Sequence, residues 1–343
     1  MNFTRTNKMR KSVLLPYVLL VIISVLIVFF LFPKPVDSGL LRYLLFVFTF
    51  PVTAVITYFS LIEVVSSKYI CFLFSITYSF LPWHFLKYNN LSVGFYGLLP
   101  YATTGLIMLT LDFHVPDFKN TFCLIIVDII LIFFQPMWGI VIFTVSVIFA
   151  LYRIINRKKL NKWYILVCIL PVISFVTNGA HFESYRGIGL VELFIPLENG
   201  LIKIFSNVYS YFIENLNDKL YNYSYLGIVL SLSLLYSFVN FFFLTEEDSI
   251  VNFCNIMIVF LLFFFLFRGL TAIIYYKYRS VNFESFIMII AFLLCITGSR
   301  VLEKIKVHTN KFVFYGVSAL VFFFNILSCI PTKLDNYHEY YHF

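Results

Sequence analysis

The chain is a succession of long apolar runs joined by short polar stretches, and within each run the apolar residues are continuous rather than alternating. The first run reads VLLPYVLLVIISVLIVFFLF. A transmembrane β-strand shows as roughly ten residues of alternating character, whereas these runs approach the ~20 residues that a spanning helix needs. A helix also satisfies its own backbone polar groups where no water can. The pattern therefore predicts an all-α, polytopic integral membrane protein of about 11 transmembrane helices. The expected spans are 12–32, 42–64, 69–86, 92–111, 121–135, 138–153, 163–178, 225–245, 249–267, 281–298 and 312–331. The whole chain, 1–343, reads as a single transmembrane helical domain, with a cytoplasmic tail at 1–11, a large external loop at 179–224 and an external tail at 332–343.

The fifth and sixth spans are short and meet at Gln135-Pro136-Met137-Trp138-Gly139, a turn signal inside an otherwise apolar stretch. A tight hairpin is expected there. One broken helix instead would reverse the orientation of everything that follows. With a hairpin and a cytoplasmic N-terminus, 15 of the 25 Lys and Arg residues fall on the cytoplasmic side. The two densest basic stretches, RIINRKKLNK and SRVLEKIKVHTNK, both fall there, read as loops.

Composition agrees with the pattern. Apolar residues make up 61% and charged residues 12%, against about 45–50% and about 25% in soluble domains, and the mean hydropathy is +0.91. The net charge of +8 is accounted for by membrane anchoring and requires no nucleic-acid partner. Residues 1–32 read as an uncleaved first helix, because the run exceeds the 7–15 apolar residues of a signal peptide and FPKP is no small-residue cleavage site. The six cysteines stand singly in apolar surroundings and read as small core residues.

Candidate chemistry lies where the apolar pattern breaks. The second half of the 179–224 loop places Leu201, Ile204, Phe205, Val208, Phe212, Leu216 and Leu220 three and four apart, as on an amphipathic helix lying at the membrane surface. A lid over a cavity and a simple packing element are both compatible with that pattern. His181, Glu183, Tyr185 and Arg186 cluster just before Gly187-Ile188-Gly189. Arg186 can fork onto phosphate oxygens through two parallel hydrogen bonds, although an arginine at a helix end also anchors lipid headgroups. A second basic cluster holds Arg268, Lys277 and Arg279, interleaved with tyrosines. An arginine inside a span costs about 2.5–3.5 kcal/mol on insertion scales, so Arg268 is expected to face a partner, a wet cavity or the headgroups. Asp128, mid-span, is expected to be paired, protonated or cavity-facing. Glu63 and His84 read as interfacial, and Asp37 as a turn residue. No pair of His or acidic residues has metal-ligand spacing, and HExxH, GxSxG and CxxC are absent. The first seven spans and the last four do not echo each other, which counts against the internal repeats of a secondary transporter.

The topology, together with RGIGLVELFIPLENG (Arg186 to Gly200), resembles the O-antigen polymerase (Wzy) family of oligosaccharide repeat-unit polymerases. That resemblance implies a polyprenyl-diphosphate-linked oligosaccharide as substrate, handled at the periplasmic face of the bacterial inner membrane. It also implies membrane lipids and a chain-length regulator as partners, and neither cofactor nor metal. Arg186 and Arg268, with Lys277 and Arg279, would neutralise the diphosphate. Glu183 or His181 would take the proton from the acceptor hydroxyl. Alternatives are a membrane glycosyltransferase using a polyprenyl-phosphate sugar donor, a transporter or flippase of lipid-linked oligosaccharide, and a membrane-bound acyltransferase.

Overall fold

The computed structural model describes residues 14–31, 40–81, 103, 105–107, 118–134, 136–156, 160–177, 226–243, 248–266 and 284–329. Every regular element among them is an α-helix. In chain order these are α1 (Leu14–Leu31), α2 (Leu40–Val64), α3 (Lys68–Ser79), α4 (Phe118–Phe134), α5 (Pro136–Ile155), α6 (Tyr164–Thr177), α7 (Gly227–Phe243), α8 (Ser249–Leu266), α9 (Glu284–His308) and α10 (Lys311–Cys329). Of the expected fourth span, only Thr103 and residues 105–107 are described, and they are helical.

α9 is the hub. It packs against α2, α3, α5, α7 and α8, and residues 288–299 are buried without a break. A helix apolar on all sides has no reason to keep a face toward its surroundings, so it takes the centre. Gly298 permits the closest approach: a β-carbon there would meet Ser233 Oγ on α7 and the Phe74 ring on α3, the latter at 2.9 Å. Around this hub, α1, α2 and α3 form one group and α4, α5 and α6 another.

α4 and α5 pack against each other. The start of α4 is tied to the joint that follows α5 by Asn161 Nδ2 donating to Thr121 Oγ1 at 3.3 Å. These are the two arms of an antiparallel hairpin, and Pro136 opens the second arm, where its missing N–H costs nothing.

One sequence expectation needs correction. The charge of SRVLEKIKVH predicts a cytoplasmic loop, yet α9 runs straight through it to His308. The reason is periodic: Val301, Leu302 and Ile305 continue the apolar stripe three and four apart, while Lys304, Val307 and His308 are exposed on the other faces. Arg153, also read as a loop cation, is buried at the end of α5 with its guanidinium 5.6 Å from the Phe149 ring.

Several buried hydroxyls are satisfied by their own helices. Thr57 donates to the Thr53 carbonyl, Ser75 to Cys71 and Ser237 to Ser233, which removes the desolvation cost without breaking a helix. The cysteines follow expectation in part: Cys71, Cys254, Cys295 and Cys329 are buried, whereas Cys123 is exposed.

Among the described residues, many large apolar side chains are exposed. Leu15 and Leu26 on α1, Phe122 on α4, Phe242 on α7, and Phe312 and Phe323 on α10 all point outward. Among the described residues, two helical stretches, Phe46–Val64 and Lys311–Cys329, are by length and composition sufficient to cross a membrane. Leu15–Phe29, Thr121–Ile130, Val145–Ile155, Gly227–Phe243 and Ser249–Leu262 are shorter apolar helices.

Candidate functional site

The helix ends sort into two sets. Ser66 and Ser67, before α3, bond to Glu303 near the end of α9. Asp248, before α8, pairs with Arg300 of α9. Phe149 and Tyr152 near the end of α5 meet Phe253 near the start of α8. Tyr69 near the start of α3 donates to the Tyr315 carbonyl near the start of α10. All these ends therefore lie on one side, which also carries Lys68, Lys119, Lys162, Lys304 and Lys311 and is called the basic end here. At the opposite end, Tyr78 near the end of α3 donates to the Met288 carbonyl, and the Val229 amide donates to Asn325 Oδ1 at 2.9 Å.

His181, Glu183, Arg186, Arg268, Lys277 and Arg279 all lie outside the described residues, as do the amphipathic stretch of the 179–224 loop, Asp37 and His84. The structure does describe the helix ends from which their connections depart. One connection leaves the end of α6 at Thr177 and returns at the start of α7. The other leaves the end of α8 at Leu266 and returns at the start of α9. All four attachment points are at the end opposite the basic one.

The basic end itself holds a built polar network that no local motif announces. Glu303 Oε1 accepts from the Ser66 and Ser67 amides at 2.9 and 3.0 Å, placing a carboxylate at the N-terminus of α3, where the helix dipole favours it. Ser67 is the N-cap residue but its side chain does not cap. Its hydroxyl instead accepts from Lys306 Nζ at 2.9 Å, and that ammonium lies 5.5 Å from the Tyr315 ring. Arg300 bridges the second oxygen of Glu303 at 3.6 Å and Asp248 Oδ2 at 2.9 Å. The other Asp248 oxygen caps α8 through the Ile250 amide at 3.0 Å. One acid on α9 thus starts a neighbouring helix, and one arginine ties two acids together. Asn310 caps α10 and Asn161 turns the chain into α6 in the ordinary local way. This cluster braces helix starts; its charges are engaged with the protein.

Deeper in the bundle, Asp128 on α4 is fully buried, and neither of its oxygens has a hydrogen-bond partner among the described residues. Of the three situations expected for it, pairing is excluded among those residues. The Asn240 amide on α7 and the Asn255 amide on α8 are likewise buried without partners. Glu63 is exposed near the end of α2. Among the described residues no group of three His, Cys, Asp or Glu side chains is arranged to hold a metal.

No family model, no curated protein and no solved structure matches this chain.

Proposed function

We propose that this chain is a polytopic inner-membrane protein that polymerises lipid-linked oligosaccharide repeat units into a surface polysaccharide on the periplasmic side. The observation that carries the reading is the common attachment of the two arginine-bearing connections. Those containing Arg186 and Arg268 both depart from the helix ends opposite the basic joints. The outward apolar surface supports a lipid surrounding, because water-soluble proteins rarely leave such patches uncovered. Basic joints gathered at one end support a cytoplasmic assignment for that end.

On this reading, a polyprenyl tail lies along apolar helix faces while Arg186 and Arg268 hold the diphosphate, assisted by Lys277 and Arg279. Neutralising its charge makes it a better leaving group. Glu183 or His181 then accepts the proton from the attacking sugar hydroxyl. Changing Arg186→Ala and, separately, Arg268→Ala is expected to abolish the ladder of surface-glycan lengths on electrophoresis, with protein abundance unchanged by immunoblot. Normal ladders from both variants would remove these residues from the mechanism.

Asp128, Asn240 and Asn255, without hydrogen-bond partners among the described residues, favour a second reading, a transporter or flippase of the same lipid-linked substrate, since polar groups inside a membrane bundle often line a path. Gene deletion separates the two. Loss of a polymerase leaves a single capped repeat on the lipopolysaccharide, and loss of a flippase leaves none.

A further inference from the structure

Asp128, in the middle of α4, is fully buried, and neither of its carboxyl oxygens has a hydrogen-bond partner among the described residues. What lies beside it follows from the packing of three helices. α4, α5 and α6 pack on one another, and the rings of Phe149 on α5 and Tyr164 on α6 meet at 5.6 Å. One turn farther from the basic end, on the same two faces, stand Ser146 and Cys168. Ser146 is fully buried, and its hydroxyl also lacks a partner among the described residues. Cys168 lies within electrostatic reach of Asp128, which brings α4 to the same level.

The backbone adds an independent signal. Pro171 lies inside α6, and proline has no N–H to give to the carbonyl four residues back. That carbonyl belongs to Val167, a fully buried residue next to Cys168. An unspent carbonyl dipole thus joins the carboxyl and the hydroxyl at one depth. The depth is roughly 10 Å from the basic end, seven residues beyond Thr121 on α4 and seven before Arg153 on α5.

Little charge surrounds this level. On α5, Arg153 holds its guanidinium against the Phe149 ring, nearer the basic end, and Tyr152 meets Phe253 of α8. On α6 the titratable groups are Tyr164 and Cys168, and on α4 Lys119 and Cys123 are exposed. No cation among the described residues acts on Asp128. An ionised carboxylate so placed is costly, and such a group is neutralised instead. Two carboxyl oxygens, a hydroxyl and a carbonyl are too few for a hard divalent cation, which takes about six to eight oxygens. They suffice for a proton.

We infer that α4, α5 and α6 enclose a proton-binding site within the membrane, with Asp128 carrying the proton and the Ser146 hydroxyl and Val167 carbonyl as the dipoles beside it. The inference rests on the membrane reading above. It does not depend on the polymerase chemistry, whose residues lie on the connections at the far end.

The test treats the full-length protein in phosphatidylcholine vesicles with dicyclohexylcarbodiimide, which partitions into lipid and modifies protonated carboxyls. A parallel arm uses a water-soluble carbodiimide. Adducts are mapped by peptide mass spectrometry over a pH series, in sodium and in potassium buffers. Asp128 is expected to be modified at neutral pH at least threefold more by the lipid-soluble reagent, equally in the two buffers, and progressively less as pH rises. Pro171→Ala returns a donor to the Val167 carbonyl and is expected to lower the pH of half-labelling. Ser146→Ala removes a hydroxyl able to donate to the ionised form and is expected to raise it. The absence of an Asp128 adduct in protein retained by the vesicles, equal modification by the two reagents, protection by sodium, or a half-labelling pH unmoved in both variants would overturn the inference. Release of the chain from the vesicles by alkaline carbonate would instead overturn the membrane reading.

Discussion

At the residue scale, the positions that matter most are those whose local environment forbids a substitute or gains nothing from the native group. Gly227 opens α7 with φ of +73°, and a β-carbon there would press on Asn325 Oδ1 and Cys329 Sγ. Backbone in this region strains any L side chain. The same Asn325 oxygen accepts from the Val229 amide, so displacing it loses a helix cap as well. Gly227→Ala is expected to lower stability by more than about 1 kcal/mol, read as a reduced thermal midpoint of the detergent-solubilised protein. Asp128 is the opposite case. Its carboxyl is buried with no partner among the described residues, and an unsatisfied buried polar group costs roughly 1–3 kcal/mol. Asp128→Leu is therefore expected to leave the midpoint unchanged or raise it. A clear fall would show that the carboxyl has a stabilising partner. Asp128 was legible in the sequence as an acid in an apolar run; Gly227 was not, because a positive φ leaves no trace in composition.

At the element scale, apolar length and periodicity located α1, α2, α7, α8 and α10 to within a few residues of where they lie. They end α9 too early, because the charged residues that follow Gly298 have loop-like composition while Val301, Leu302 and Ile305 keep the helical apolar spacing. Helix starts divide by the reach of their caps. Asp248 and Asn310 are local caps, an Asx residue just before an apolar run, and were there to be read. Glu303 capping α3 and Asn325 capping α7 act across 236 and 96 positions of sequence, and no short-range pattern records them. The Glu303 cap makes a definite prediction. Glu303→Ala is expected to cost about 1–2 kcal/mol, with faster hydrogen exchange at the Ser66 and Ser67 amides, while Glu303→Gln, which keeps an acceptor but no charge, falls between. Unchanged exchange at those two amides in the alanine variant would show that the cap is not formed in solution. Most of the cost is assigned to the lost amide acceptor. The partly exposed ion pair with Arg300 contributes little by comparison, at most about 1 kcal/mol.

At the scale of the whole molecule, α9 is buried at the centre, an apolar surface faces outward, and the two ends differ in what they carry. At one end charges are consumed in holding helices together. From the other depart the connections that bear His181, Glu183, Arg186, Arg268, Lys277 and Arg279. The sequence showed this division through its basic loops, since antiparallel helices force alternate joints to opposite ends. It did not show how those six residues are arranged with respect to one another, because they lie on two separate connections and no short-range pattern relates one to the other. The proposed chemistry needs the arginines on the periplasmic side, so sidedness is what the account depends on most. Single cysteines at Ser184 and at Thr309, probed in intact cells with a membrane-impermeant maleimide, test it directly, with the native cysteines measured as background. Ser184→Cys is expected to be labelled in intact cells and Thr309→Cys only after permeabilisation. The reverse pattern, or labelling of both in intact cells, would contradict it.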